Sequence, residues 1–89
     1  MALRILSSPS EPAAVADALK NSIEAALPDA RVEVTPVSPG HFEIEVVSSA
    51  FRDENRVRQQ QLVYSAIAHL MKGDAAPVHA IDRLETALP

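Results

Sequence analysis

The sequence predicts one small α/β domain of the α+β type, in which a three-stranded mixed sheet carries its helices on one face. Its 89 residues, 47% of them hydrophobic, can bury one modest core but not two. Hydrophobic periodicity gives the order α-β-β-turn-α-β. The closing strand-helix-strand step is a crossover, which favours a parallel pair with a right-handed connection. Because the chain has no cysteine, disulfides, zinc-thiolate sites and thiol nucleophiles are excluded.

The first helix is predicted to begin at Ser10 or Glu11, with Pro12 in its first turn, and to end at Pro28. Apolar side chains at helical spacing mark the face expected to meet the core: Val15, Leu19, Ile23 and Ala26.

Two strands are predicted next, because apolar and polar residues alternate over residues 31–35 and 42–47. The residues from Pro36 to Gly40 supply turn chemistry between them, so the strands should form an antiparallel hairpin. A short polar break follows around Phe51, where a single helical turn is expected. The outward row of these strands would be acidic, and it consists of Glu33, Glu43 and Glu45.

The main helix is predicted from about Asn55 to Lys72, with Gly73 as its C-cap. One arc of its helical wheel holds the residues expected to face the core: Val57, Val63, Tyr64, Ile67, Ala68, Leu70 and Met71. The opposite arc, which includes His69, is expected to face solvent.

The last strand is predicted from Pro77 to about Leu84, and Asp82 interrupts its inward row, so a bulge or an early strand end is expected there. If this strand runs parallel to the second one, their starting ends meet, which brings His41 and His79 together. Two imidazoles could ligate one metal centre, although zinc and iron generally take four ligands. A partner or a small thiol would then supply the others. The alternative is that each histidine is a hydrogen-bonded structural residue.

The net charge of −4 argues against a general nucleic-acid binder. The charge is uneven, since residues 51–73 hold four basic and two acidic side chains, a local balance of +2. Residues 1–10 lack the apolar core of a signal peptide, and no stretch approaches a membrane span. We therefore expect a cytoplasmic protein without a membrane partner, in which residues 1–10 form a flexible lead and residues 11–89 the domain.

Four segments, in the same order and spacing over about residues 13–84, give the chain a resemblance to the BolA family. They are the strand from His41 to Ser48, then Phe51, then Leu62-Val63-Tyr64, and finally Val78-His79-Ala80-Ile81. The run RVRQQQ at residues 56–61 is similar to the corresponding run of the IbaG-like branch. Many other members of the family carry Arg-His-Arg at this place. A glycine usual in the loop after the phenylalanine is absent, and Asp53 and Glu54 occupy that region.

The resemblance implies a class II KH-like fold, α-β-β-α-α-β, and a protein that is not an enzyme. It implies that the chain shares a [2Fe-2S] cluster with a monothiol glutaredoxin of the CGFS type. His79 would be one ligand, and His41 is the best match for the second. The cysteine of the glutaredoxin and bound glutathione would supply thiolates, so no cluster is expected in the isolated chain. Mixed Cys and His ligation of such clusters is chemically reasonable.

The resemblance also implies a second function, a DNA-binding transcriptional regulator in the stress response, acting through a helix-turn-helix-like element at residues 51–72. Glutamine amides can pair with adenine edges, although a polar first turn explains the glutamines equally well. The residues predicted to contact DNA are Arg52, Arg56, Arg58, Gln59, Gln60 and Lys72. A third reading is an interaction module that docks a partner without metal, and a weak homodimer is a further expectation.

Overall fold

The computed structural model describes residues 11–27 and 29–89, which form a mixed three-stranded sheet with the helices packed on one face. The predicted flexible lead, residues 1–10, and the predicted helix stop at Pro28 lie outside the described residues. The apolar core lies between the helices and the sheet. Its most deeply buried large side chains are Leu19, Ile23, Phe42, Ile44, Val46, Phe51, Val63, Ile67 and Val78.

Helix α1 runs over Pro12–Ala26, with proline in its first turn as predicted. Val15, Leu19 and Ile23 are buried on its inner face, which confirms most of that prediction. Ala26 was expected inside and is exposed, so that part is wrong. Leu27 is buried in its place, because the backbone leaves the helix there in an extended conformation and redirects the side chain toward the core.

Strands β1, Arg31–Ser38, and β2, His41–Val47, form the predicted antiparallel hairpin. Strand β1 continues through Pro36, so the turn is tighter than expected and consists of two residues that end at Gly40. Strand β3, Ala80–Ala87, pairs parallel to β2, which gives the order β1-β2-β3. The predicted crossover and the mixed sheet are therefore confirmed.

The uncovered face of the sheet is polar, as predicted. Glu33, Glu45 and Glu85 lie directly opposite one another across the three strands. Arg83 lies two pairs away, opposite Glu43, and its Nη2 donates to Glu85 Oε2 at 2.8 Å. Like charges placed side by side on a sheet repel, and Arg83 offsets part of that repulsion.

A 3₁₀ turn over Ser49–Phe51 matches the predicted helical turn around Phe51. Helix α2 follows over Arg56–Ile67, and the Asn55 side chain caps it by accepting from the Arg58 N–H at 2.8 Å. The prediction that this helix continues to Lys72 is wrong. At Ile67 the backbone leaves helical geometry, and a 3₁₀ turn over Ala68–Leu70 replaces the last helical turn.

Gly73 therefore does not cap α2, although its φ of +86° has the left-handed sign that a C-cap requires. The physical reason lies at Leu70, whose carbonyl accepts a hydrogen bond from the N–H of Val78 at 3.2 Å. That bond draws the chain back across the core toward β3. The tertiary contact outweighs the helical pattern of residues 68–72.

The buried face of α2 is rotated from the predicted arc. Val63 and Ile67 are buried as expected, and Leu62 and Ala66 rather than Tyr64 and Ala68 pack beside them. Leu70 and Met71 pack against the core as predicted, although only partly buried. The residues wrongly expected inside are exposed: Val57, Tyr64 and Ala68.

Strand β3 begins at Ala80, three residues later than predicted, and continues past Leu84 to Ala87. The expected irregularity at Asp82 is a bulge, because Phe42 pairs with Ile81 and the next pair joins Glu43 to Arg83. An early strand end, the other expectation, is wrong. The extra residue moves Ile81 rather than Ala80 onto the core.

No helix in residues 11–27 and 29–89 is long and apolar enough to cross a membrane.

Candidate metal-ligand site

The starting ends of β2 and β3 bring two histidines together. His41 is the first residue of β2 and pairs with Ala80, while His79 directly precedes Ala80. Their ring centroids are 6.5 Å apart and the ring planes meet at 78°. The predicted juxtaposition of His41 and His79 is present, and we call these two residues the histidine pair. Their role as ligands stays a prediction.

His79 is held by its neighbours on both sides. The preceding residue, Val78, is only 1% exposed and anchors the segment in the core. The His79 N–H donates to the Gly40 carbonyl at 2.8 Å, and the Ala80 N–H donates to the same oxygen at 3.1 Å. Both bonds attach the start of β3 to the β1–β2 turn. The backbone of His79 is thus fixed although its side chain is exposed.

The His79 ring lies directly over Gly40. A Cβ atom at Gly40 would lie 2.8 Å from Cγ and Nδ1 of His79, closer than side-chain atoms approach one another. Gly40 also has a φ of +78°, a conformation that glycine adopts without strain. The turn was predicted from Gly40, but its contact with the ring was not. The position of Gly40 in the turn between β1 and β2 does not by itself indicate a contact with residue 79.

His41 is held by its side chain. Its Nδ1 forms a 2.9 Å hydrogen bond with Oδ1 of Asp82, the bulged residue of β3. The two side chains are 40% and 38% exposed, so the pair is reachable from solvent. This bond agrees with the structural alternative for His41, yet it occupies only one of the two ring nitrogens.

The donor set fits part of a metal centre. One metal ion at about 2.0–2.1 Å from a nitrogen of each ring would hold the ring centroids roughly 5–6 Å apart. The observed 6.5 Å lies just above that range, so the two rings would have to move closer to bind one ion. Across the described residues, no group of three or more His, Cys, Asp or Glu side chains could hold a metal ion. The histidine pair by itself could therefore offer two nitrogen ligands.

His69 lies apart from the histidine pair, as predicted. Its Nε2 is 3.3 Å from the Ser22 hydroxyl, which links the 3₁₀ turn after α2 to α1. It is the third histidine of the chain, and its position makes it a natural control.

The residues predicted to contact DNA do not form one surface. Arg52, Arg56 and Arg58 are exposed around the start of α2. Lys72 is also exposed, but it follows the 3₁₀ turn beyond the other end of that helix, which is roughly 18 Å long by helical rise. Gln60 is half-buried.

Gln59 is engaged within the fold. Its Nε2 donates to the Glu54 carbonyl at 2.8 Å, and its Oε1 accepts from the Thr86 hydroxyl. These bonds tie the loop before α2 to β3, which withdraws Gln59 from a DNA-contacting surface. A helical wheel centred on the core residue Val63 and on Ala66, which packs against the core, places Gln59 on the same arc. This role could therefore have been found from a correct wheel.

Sequence reasoning also missed a polar cluster at the end of β2. Asp29 accepts from the Ser48 hydroxyl at 2.8 Å and from the Ser49 N–H at 3.0 Å. Ser48 is fully buried and its hydroxyl also accepts from the Ala50 N–H. Hydrogen bonds from Ser49, and then from Ser48, lower the pKa of the exposed Asp29 carboxyl to about 2. The cluster fixes the start of the 3₁₀ turn and has no histidine in it.

The fold and the histidine pair together define a class of protein. It is a small α+β domain with two neighbouring, solvent-accessible histidines at one end of a mixed sheet. A family model described as BolA-like protein matches residues 21–87, three quarters of the chain. The chain belongs to the BolA-like family, which confirms the resemblance drawn from the motifs.

Solved structures agree with this assignment. A bolA protein homologue from Coxiella burnetii is 31% identical over 80% of this chain and 86% of that chain, with a TM-score of 0.66. The BolA1 protein from Mus musculus is 26% identical over 100% of this chain and 72% of that chain, with a TM-score of 0.65. The BolA domain of SufE1 from Arabidopsis thaliana is 20% identical over 84% of this chain and 92% of that chain, with a TM-score of 0.71. At this identity it supports the fold alone.

No curated protein sequence matches the chain. The matches are to the BolA-like family as a whole, so the IbaG-like branch stays a prediction.

Proposed function

We propose that this chain is a non-enzymatic partner in the assembly or trafficking of iron-sulfur clusters, and that it shares a [2Fe-2S] cluster with a monothiol glutaredoxin of the CGFS type. His79 and His41 contribute the imidazole ligands. The observation that carries the proposal is the position of these two rings, 6.5 Å apart at an open end of the sheet.

The chemistry of the donor set supports a shared cluster. Each iron of a [2Fe-2S] cluster takes two protein ligands, and imidazoles can replace thiolates on one of the irons. This chain has no cysteine, so thiolates must come from the glutaredoxin and its bound glutathione. An open and incomplete pair suits that arrangement, because a second protein must reach the same metal.

The experiment adds the chain to a monothiol glutaredoxin loaded with a [2Fe-2S] cluster and records visible circular dichroism. We expect the cluster spectrum to change as imidazole replaces a ligand. His79→Ala should abolish the change, and His41→Ala should reduce it. His69→Ala is the matched control, since it removes an imidazole that contacts Ser22 outside the histidine pair.

Two results would contradict the proposal. One is a cluster spectrum that stays the same when the unaltered chain is added. The other is a His79→Ala variant that changes the spectrum as the unaltered chain does, while its own far-UV spectrum shows that it is folded.

A second function, weak DNA binding, has one observation in its favour. Arg52, Arg56 and Arg58 are exposed around the start of α2, and none takes part in an ion pair within the described part of the chain. Unpaired arginines on one surface suit phosphate contacts, which are strongly salt-dependent.

DNA retardation at low salt tests this second function. Binding should weaken steeply as salt rises, and the double variant Arg56→Ala/Arg58→Ala should remove it. Arg83→Ala is a charge-matched control, because Arg83 lies on the uncovered sheet face and pairs with Glu85. Absence of retardation at low salt would exclude the function. The weak homodimer and the cytoplasmic location stay predictions.

A further inference from the structure

Asp82 is placed by a backbone irregularity rather than by regular strand geometry. Strand β2 pairs Phe42 with Ile81 and the following Glu43 with Arg83, so Asp82 has no partner on β2. A bulged residue is released from the alternation of the strand and can aim its side chain elsewhere. The carboxylate of Asp82 reaches back along the strand to His41, whose own pairing partner is Ala80.

The bond between them determines which ring nitrogen of His41 is available. An ionised carboxylate only accepts hydrogen bonds, so the 2.9 Å contact with Asp82 Oδ1 requires a proton on His41 Nδ1. In a neutral imidazole the proton sits on one nitrogen and the other keeps its lone pair. The lone pair of His41 is then on Nε2.

We propose that Asp82 is a positioning residue for the histidine pair. It fixes the His41 ring and its Nδ1–H tautomer, so that Nε2 is the atom presented to a metal. Ligating histidines commonly donate their second N–H to a carboxylate, which orients the ring and strengthens the ligand nitrogen. The inference rests on the proposed ligand role of His41, but the tautomer itself is a property of the isolated chain.

The first test is the tautomer in the isolated protein. Long-range ¹H–¹⁵N spectra at about pH 8.5, where imidazole is neutral, should show His41 as the Nδ1–H form. In Asp82→Ala the population of the Nδ1–H form of His41 should fall, since no carboxylate then accepts a hydrogen bond from Nδ1. The matched control is Asp74→Ala, which removes an exposed aspartate whose side chain forms no hydrogen bond or ion pair with the described residues. An unchanged His41 tautomer in Asp82→Ala would overturn the proposal.

The second test is metal affinity with Zn²⁺ alone as the probe, followed through the His41 and His79 ring resonances. Loss of a carboxylate behind a ligating histidine typically weakens metal binding about 10–100-fold. We expect a weakening of that order in Asp82→Ala and none in Asp74→Ala. Equal Zn²⁺ affinity in the two variants, or Zn²⁺ that leaves the His41 ring unperturbed in the unaltered chain, would overturn the proposal.

These outcomes separate the two proposals. If the glutaredoxin cluster fails to respond to the unaltered chain, the proposed function fails, while the tautomer and Zn²⁺ results still decide the role of Asp82. If the cluster responds and Asp82→Ala keeps the tautomer, only the positioning role fails. The substitution lies at an exposed bulge, and far-UV spectra of both variants establish that they fold.

Discussion

Replacing Gly40 by alanine should separate a backbone effect from a contact with the histidine pair. The chain offers a matched control, because Gly40 and Gly73 have similar positive φ values of +78° and +86°. A Cβ at Gly40 would meet the His79 ring at 2.8 Å, whereas a Cβ at Gly73 would have nothing within 4 Å. Both substitutions strain the backbone, and only the first one displaces His79.

The magnitude follows from these two contributions. An L-residue in the left-handed region costs roughly 1–2 kcal/mol, partly offset by about 0.4–1 kcal/mol from the stiffer unfolded chain. Gly73→Ala should therefore lower the free energy of unfolding by about 1 kcal/mol. Gly40→Ala adds an overlap of roughly 0.7 Å or more against ordinary carbon contacts. The His79 Cβ, at 3.2 Å, does not move when the ring rotates, so the backbone must also shift. Overpacking of this kind costs about 1–3 kcal/mol.

Thermal and urea unfolding, followed by far-UV circular dichroism, measure the difference. For a domain of this size 1 kcal/mol corresponds to roughly 4–8 °C in Tm. We expect Gly40→Ala to melt at least that far below Gly73→Ala. In the same samples, the His79 ring resonances should shift in Gly40→Ala only, and its effect on the glutaredoxin cluster should weaken. Equal Tm values for the two variants, together with unshifted His79 resonances, would refute the reasoning.

Three further substitutions, the first with a control variant, test features of the fold that sequence reasoning missed. Gln59→Ala should lower the free energy of unfolding by about 1 kcal/mol, because it removes two hydrogen bonds and leaves the part-buried Thr86 hydroxyl without its partner. Urea unfolding measures this, and Gln60→Ala should have little effect in the same assay. Asp29→Asn should remove a pH dependence. The folded pKa of about 2 lies below the ordinary 3.8, so the stabilisation is complete above about pH 4 and is lost as the pH falls toward 2. Acid titrations of stability that coincide for the two proteins would contradict this. Asp53→Gly should raise Tm, with a gain of up to about 1 kcal/mol, since Asp53 has a φ of +64°; a lower Tm would be evidence that its side chain stabilises the loop.

The strands were predictable because their pattern is local. Alternation placed Phe42, Ile44 and Val46 on the core side of β2, and all three are 1% exposed. The pattern of α2 was less reliable because an apolar arc does not say which part of it meets the sheet. Tyr64 was placed on the apolar arc because its ring is apolar, and yet it is 38% exposed. A tyrosine at the edge of a buried helix face can keep its hydroxyl in water.

The histidine pair was predictable from topology, and its supports were not. Parallel pairing of β2 and β3 places their starting ends at the same edge of the sheet, and the register pairs His41 with Ala80, the residue after His79. The contact of Gly40 with the His79 ring depends on where the His79 side chain lies, which no spacing in the sequence determines. The acceptor for His41 depends on one bulged residue. Sequence patterns therefore identify which histidines meet, but not what orients them.

The bulge at Asp82 connects the packing of β3 with the chemistry of its end. In an unbroken strand, side chains alternate, so Ile81 and Leu84 could not both face the core. The extra residue resolves this conflict. Ile81 and Leu84 pack against the core, and Arg83 and Glu85 reach the uncovered face. The residue left without a pairing partner is Asp82, and its carboxylate accepts the hydrogen bond from His41. Core packing thus requires a bulge near this position, and the choice of aspartate there gives the bulge a second role beside the histidine pair.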